Sequence, residues 1–191
     1  MNIAVLHRQS WLAPLGVCAL VLPLVAGGDG ARALLRYDRS GLAAGQWWRL
    51  LSGHLVHLGL EHALLNLAGV WLMWALFRND WSARRWLLIV LCAIAAIDAG
   101  LWMLSSTVEW YVGSSGVLHG VLTAGIVAWI RDRRPEGWVL AVLLAGKLAW
   151  EQVHGALPLT AGGVVITQAH LYGVVGGLAV ALVPGGRRKP V

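Results

Sequence analysis

Residues 112–122 read VGSSGVLHGVL, and this stretch raises the question on which fold and function depend. Ser114 and Ser115 stand between glycines, and His119 follows Ser115 by about one helical turn. Small residues at this spacing favour close helix packing. A hydroxyl beside an imidazole also indicates a reactive site. The remaining sequence must distinguish a packing seam from a catalytic one.

The chain is strongly apolar. Of its 191 residues, 58% are hydrophobic and 13% are charged, and the mean hydropathy is +0.68. Soluble domains carry about 25% charged residues, so this composition indicates a membrane protein. Cys18 and Cys92 lie inside apolar segments and are expected to pack as small residues. No metal or other cofactor is predicted.

Six apolar segments are long enough for membrane-spanning helices, which need about 20 residues. We therefore expect an all-α membrane protein with six transmembrane helices in residues 11–183. Residues 1–10 would form a cytoplasmic N-terminus and residues 184–191 a basic cytoplasmic tail, with a long interfacial loop at about 28–59. The predicted spans cover residues 11–27, 60–77, 86–105, 115–130, 137–154 and 167–183.

Basic residues orient these spans, because cytoplasmic loops carry an excess of lysine and arginine. Ten fall on one side, which places both termini in the cytoplasm and GSSG on the opposite side. The net charge of +6 is thus attributed to the cytoplasmic face of the bilayer and not to nucleic acid. The ten are Arg8, Arg78, Arg84, Arg85, Arg131, Arg133, Arg134, Arg187, Arg188 and Lys189, and the loop on the other side holds Arg32, Arg36, Arg39 and Arg49.

The long loop contains Trp47, Trp48 and Arg49 in succession. Tryptophan rings favour the headgroup depth of a bilayer, whereas a guanidinium favours water. The segment is therefore expected to lie in the membrane interface with Arg49 in water.

Polar residues inside the predicted spans share one depth, because spans two, four and six all begin at the non-cytoplasmic end. Intramembrane polar groups are costly and indicate function. Together they supply a nucleophilic hydroxyl, an imidazole to take its proton and donors for an oxyanion. The residues at this depth are His62, Asn66, Ser115 and His170.

Small residues would let the serine and the histidine meet. Span six places His170, Gly173 and Gly177 on one face, and span four presents Gly116 and Gly120. Backbones approach closely along such a seam. A hydrogen bond between the two spans is therefore expected.

Three motifs in this order resemble the rhomboid intramembrane serine proteases. They are GSSG at 113–116, AHxxGxxxG at 169–177 and HxxxxHxxxN at 57–66. The resemblance implies a six-helix rhomboid-like bundle with serine protease activity. It covers all six predicted spans.

The resemblance also implies a role for each matched residue. Ser115 would be the nucleophile and His170 its general base. His62 and Asn66, with the backbone of Ser115, would form the oxyanion hole, and His57 would support the loop. The other supporting residues would be Gly113, Gly116, His119, Gly173 and Gly177.

Within the family, GQWWRLLSGHLVHL, GSSGVLHG and KLAWEQ look most like the rhombosortase branch. That branch is associated in Gram-negative bacteria with removal of C-terminal GlyGly-CTERM tails from exported proteins. The resemblance implies an inner-membrane protein whose site opens to the periplasm. Its partners would be the bilayer and single-pass or C-terminally anchored protein substrates, without nucleic acid.

His119 departs from the family pattern, which commonly has an aromatic residue four positions after the serine. Two interpretations stay open: His119 replaces that ring by stacking on the catalytic imidazole, or it modulates the site through its proton. His170 is preferred as the base because a side chain four residues on lies over its own helix surface. Ser114 is expected to cap the helix.

Lys147 and Glu151 are four residues apart on span five. They would form a neutralising ion pair, or would take part in substrate gating, since substrate is thought to enter rhomboids at the fifth helix. No acidic residue is expected to orient His170, so the sequence predicts a serine–histidine dyad. Asp98 is expected to be a structural acceptor.

Two rival functions compete with a protease. A catalytically silent rhomboid-like protein that binds transmembrane helices would typically lack the serine or the histidine, and both are present. A small transporter that uses Lys147, Glu151 and the histidines as a proton relay would show inverted repeats, and the sequence shows none.

Overall fold

Helices dominate the computed structural model, which describes residues 11–156 and 165–183. The predicted termini, 1–10 and 184–191, with Arg8, Arg187, Arg188 and Lys189, lie outside the described residues. The helices are α1 (Leu12–Ala26), α2 (Gly28–Leu35), α3 (Arg39–Ala43), α4 (Arg49–Ser52), α5 (Leu60–Phe77), α6 (Ala83–Leu104), α7 (Ser115–Arg131), α8 (Pro135–His154) and α9 (Gln168–Leu182), and the strands are β1 (Tyr37–Asp38) and β2 (Trp110–Tyr111).

The six longer helices coincide with the six predicted spans to within a few residues. Of these, α5 and α6 are long and apolar enough to cross a membrane. The bent pair α1 and α2, with 112° between its halves, is a third candidate. In the described residues, length and composition therefore identify two or three spans, so the predicted number of six is not confirmed.

The centre of the bundle is the contact of α9 with α7 and α6, and glycines allow it. A Cβ atom on Gly173 would lie 2.0 Å from the Gly116 carbonyl oxygen, and one on Gly177 would lie 2.1 Å from the Gly120 oxygen. The expected glycine seam is thus present as direct backbone contact. Any side chain at Gly173 would force the two helices apart.

Arginines tie three helix termini together at one end of the bundle. Arg85, near the start of α6, donates to the carbonyl oxygens of Val180 and Val183 at 2.5 and 2.8 Å. Arg131, the last residue of α7, donates to the Ala181 oxygen at 2.5 Å. A positive side chain is favourable at the C-terminus of a helix such as α9. The starts of α7 and α9 therefore lie together at the opposite end.

The long connection braces that opposite end. β1 pairs antiparallel with β2, with Tyr37 opposite Tyr111, just before the GSSG motif. Arg39 donates to the carbonyl oxygens of Leu101 and Ser105 at the end of α6, at 2.6 and 3.1 Å. His54 Nε2 lies 3.3 Å from Oδ1 of Asp98, and both side chains are buried. Asp98 thus occupies the predicted position of a structural acceptor.

The expectation that Arg49 lies in water is wrong. Only 8% of the residue is exposed. Its guanidinium donates to the carbonyl oxygens of Ala33 and Arg36 at 3.0 and 2.9 Å, because these backbone groups need donors in the folded connection. The neighbouring rings are exposed, Trp47 by 67% and Trp48 by 50%.

Candidate active site

Ser115 and His170 meet across the glycine seam. Ser115 is the first residue of α7, and His170 lies in the first turn of α9. The distance from Ser115 Oγ to His170 Nε2 is 2.9 Å, and His170 is 4% exposed. The hydroxyl and the imidazole are therefore hydrogen-bonded, as the sequence motifs predict. This contact depends on the close approach of Gly116 and Gly173.

The other ring nitrogen of His170 contacts an acidic residue. Oε2 of Glu151 lies 2.8 Å from His170 Nδ1, and Glu151 is 3% exposed. The expectation that no acidic residue is placed to orient His170 is therefore wrong. Sequence reasoning missed this contact because the predicted ion pair already gave Glu151 a partner. That ion pair is present, with Lys147 Nζ 2.5 Å from Oε1.

His119 lies face to face with His170. Their ring centroids are 4.1 Å apart, and the ring planes differ by 15°. His119 Nδ1 lies 2.7 Å from the carbonyl oxygen of Ser115, so as a donor it bonds to its own helix. The imidazole therefore occupies the stacking position that one of the two sequence interpretations gives it. It does not contact the Ser115 hydroxyl in the way that His170 does.

Asn66 lines the same pocket and is held by two hydrogen bonds. Its Nδ2 donates to the His62 carbonyl oxygen at 2.8 Å, and its Oδ1 accepts a hydrogen bond from Ser114 Oγ at 3.2 Å. The interpretation of Ser114 as a side-chain cap is therefore wrong, since its hydroxyl makes no capping bond. An amide nitrogen has two N–H donors, so Asn66 retains donor capacity toward the pocket.

His62 and His57 form a buried pair next to Gly113. Their rings meet edge to face with centroids 5.2 Å apart. Burial, with the neighbouring His62 acting in the same direction, lowers the pKa of His57 to about 4. His57 lies in the loop before α5, where the resemblance places a supporting residue. Its ring packs against the ring of His62.

Gly113 is the one glycine of the motif that the backbone conformation requires. Its φ angle is +110°, a value that favours glycine, and a Cβ atom there would lie 2.9 Å from Cε1 of His62. The Tyr111 hydroxyl donates to the Gly113 carbonyl oxygen at 2.6 Å. These contacts fix the turn that leads into Ser115.

Ser115 and His170 lie in the wall of a cavity of about 230 Å³. Such a combination of apolar walls with convergent polar groups is typical of a substrate site. The sequence-predicted residues from α5, α7 and α9 are thus brought together, and α8 adds two that the sequence did not place there. The cavity is lined by His62, Leu65, Asn66, Ser115, Leu118, His119, Lys147, Glu151, Val165 and His170.

One group of side chains in this pocket has the composition of a metal site. Donor atoms of His119, Glu151 and His170 lie within 4.8 Å of one another. The two imidazoles are nearly parallel, however, so their in-plane lone pairs do not converge on one point. Glu151 and His170 are instead bonded to each other. We therefore assign no metal to this group.

Comparison with known proteins identifies the family of the chain. The rhomboid domain model matches residues 44–187, which include α5 to α9 and every side chain of the pocket. The chain belongs to the rhomboid family. Together with its apolar helices, this membership makes it an integral membrane protein.

Three relatives show the extent of similarity to this rhomboid protein. Rhomboid protease GluP of Bacillus subtilis (strain 168) is 28% identical over 97 residues, which is 51% of this chain but 19% of GluP. The putative rhomboid protease YdcA of the same strain is 24% identical over 147 residues, 74% of this chain and 69% of YdcA. A lipoprotein signal peptidase of Methylobacterium radiotolerans is 29% identical over 178 residues, 91% of this chain and 88% of that protein.

Proposed function

We propose that this rhomboid protein is an intramembrane serine endopeptidase that cleaves a peptide bond in or beside the transmembrane segment of a substrate protein. The observation that carries the proposal is the 2.9 Å hydrogen bond between Ser115 Oγ and His170 Nε2. All three relatives are named as proteases or peptidases. Their names support cleavage of a peptide bond as the reaction.

The reaction begins with attack of Ser115 Oγ on the scissile carbonyl carbon while His170 Nε2 takes the hydroxyl proton. The tetrahedral intermediate then expels the amine, which receives that proton from His170. The acyl-enzyme is resolved by water, or by another nucleophile that would make the reaction a transfer. His170 again acts as the base in this second step.

The negative oxygen of the intermediate needs donors on the side of the pocket away from His170. A role for Asn66 Nδ2 and the His62 ring as these donors is supported by their place in the lining of the same cavity as Ser115. The Leu58 N–H donates to Nδ1 of His62 at 3.4 Å, so the ring proton lies on Nε2. The first N–H groups of a helix also lack partners within it, which favours an anion beside Ser115.

We further propose the rhombosortase branch, with C-terminal GlyGly-CTERM tails of exported proteins as substrates. The motif segments named above support that branch. The arginines at the ends of α6 and α7 support a six-span bundle with both termini in the cytoplasm and Ser115 at the periplasmic end. Helix-breaking glycines in such a tail would expose the scissile carbonyl.

A catalytically silent helix-binding protein is the alternative. Binding alone does not require a serine that is hydrogen-bonded to an imidazole, or an imidazole that is held by a second hydrogen bond through its other ring nitrogen. The intact Ser115–His170 pair therefore favours catalysis over binding alone.

The test is cleavage of a tagged single-pass protein with a GlyGly-CTERM tail by the purified full chain in liposomes. We expect cleavage by the parent and by Ser106→Ala, an exposed serine outside the pocket, and none by Ser115→Ala or His170→Ala. Equal cleavage by Ser115→Ala and the parent would overturn the proposal. A matched substrate without the tail tests the branch: cleavage of the tailed substrate alone would support it, and equal cleavage of both substrates would contradict it.

A further inference from the structure

Glu151 faces the pocket because of its phase on α8. The buried residues of this helix are Gly137, Leu144 and Glu151, which recur at intervals of seven residues and form one inward stripe. Its opposite face is exposed, as at Trp138 and Val142. A carboxylate on the stripe that packs against the bundle is costly to bury unless hydrogen bonds and a counter-charge satisfy it.

Both oxygens of Glu151 are satisfied, and by different partners. Lys147, one turn earlier and 31% exposed in its side chain, donates to Oε1 at 2.5 Å. His170 Nδ1 lies 2.8 Å from Oε2. Because an ionised carboxylate only accepts hydrogen bonds, the imidazole must be the donor in this contact. The Nδ1 proton leaves Nε2 as the acceptor for the Ser115 hydroxyl.

We propose that Glu151 is a positioning residue that acts through His170 and completes a Ser115–His170–Glu151 triad, with Lys147 holding the carboxylate. Glu151 fixes the tautomer in which Nε2 can take the serine proton, and it stabilises the imidazolium that forms as the proton moves. The proton itself stays on His170. This inference rests on the proposed serine protease function and adds a third residue to the predicted dyad.

The three residues of the triad lie on three different helices, so the reaction depends on how α7, α8 and α9 are packed together. Ser115 lies on α7 and His170 on α9, which are locked by the glycine seam, whereas α8 packs chiefly against α7. A displacement of α8 would therefore separate Glu151 from His170 without separating His170 from Ser115. The orienting hydrogen bond is the contact of the site most exposed to movement of α8.

A fluorophosphonate, which modifies activated serines, measures the role without a known substrate. For Glu151→Gln we expect the maximal labelling rate of the purified full chain to fall by about 10²–10⁴-fold, with the half-saturating concentration unchanged. Glu151→Asp keeps the charge and should restore part of the rate. Glu136→Gln removes an exposed carboxylate of the same helix and should label like the parent. A rate for Glu151→Gln within about threefold of the parent would overturn the triad.

Nitrogen NMR of protein with ¹⁵N-labelled histidine shows which ring nitrogen of His170 carries the proton, and so tests the contact with Glu151 without catalysis. In Ser115→Ala, which removes the nucleophile, we expect His170 to keep its proton on Nδ1, and in the Ser115→Ala, Glu151→Gln double variant to lose that preference. A His170 tautomer insensitive to Glu151 would contradict the proposal. If Ser115→Ala cleaves as well as the parent, the protease function fails; if it is inactive and Glu151→Gln is fully active, only the triad fails.

Discussion

The carbonyl oxygen of Gly116 lies where the side chain of any other residue at position 173 would begin. A Cβ atom on Gly173 would be 2.0 Å from that oxygen, a contact that backbone atoms cannot relieve by rotating. This approach lets α7 and α9 bring Ser115 within 2.9 Å of His170. The packing seam and the reactive pair are therefore one feature.

Gly173→Ala tests this dependence. We expect separation of α7 and α9, a loss of about 1–3 kcal/mol or more in the free energy of unfolding, and loss of serine labelling. Gly146→Ala is the matched control, because no atom lies within 4 Å of its new Cβ and alanine favours a helix by about 0.5–1 kcal/mol. Thermal unfolding in detergent measures the stability of both variants, and fluorophosphonate labelling measures the reactivity of their serine. Parent-like stability and labelling in Gly173→Ala would contradict the seam.

His119 should act through the stack on His170. We expect His119→Phe, which keeps a planar ring, to label with fluorophosphonate at nearly the parent rate. His119→Ala should be about 2–10-fold slower, the equivalent of an aromatic contact of about 0.5–1.5 kcal/mol. If His119→Phe is as slow as His119→Ala and both change the pH profile alike, the proton-linked interpretation replaces the stacking one.

His57 should make stability depend on pH. Its pKa of about 4 in the folded protein lies below the ordinary 6.5, so the unfolded chain binds more protons between these values. The free energy of unfolding should therefore fall by about 3 kcal/mol as the pH decreases from 6.5 to 4. Above pH 6.5 this contribution is fully present.

Unfolding of the parent and of His57→Gln across that pH range checks this prediction. The variant should lose less stability on acidification than the parent. His154→Gln, which replaces an exposed histidine, should behave like the parent. Equal acid sensitivity of the parent and His57→Gln would refute the assignment to His57.

The sequence predicted the features that depend on periodicity within one segment. Apolar length located all six longer helices, and the spacing of Gly173 and Gly177 located the seam. Alternation of span direction placed Ser115 and His170 at one depth. These properties follow from helix geometry alone, so no tertiary contact was needed to infer them.

The sequence failed where the partner of a side chain lies far away in the chain. Arg49 is buried because carbonyl groups of the folded connection accept its hydrogen bonds. Ser114 bonds Asn66 on another helix in place of its own helix end. Glu151 lies in the last turn of the predicted fifth span and His170 near the start of the sixth, and this position was the available signal. The contact of Glu151 with His170 was not predicted because Lys147, one turn earlier, was already a sufficient partner for the carboxylate.

The most direct test of the proposed mechanism is to find which residue a fluorophosphonate modifies. The intact protein would be labelled in detergent, and the modified peptide would be sequenced by mass spectrometry. We expect modification at Ser115, none at the adjacent Ser114, and none in His170→Ala, because Ser115 is bonded to that imidazole whereas Ser114 is bonded to Asn66. Modification of Ser114, or labelling of His170→Ala at the parent rate, would contradict the assignment of Ser115 as a nucleophile activated by His170.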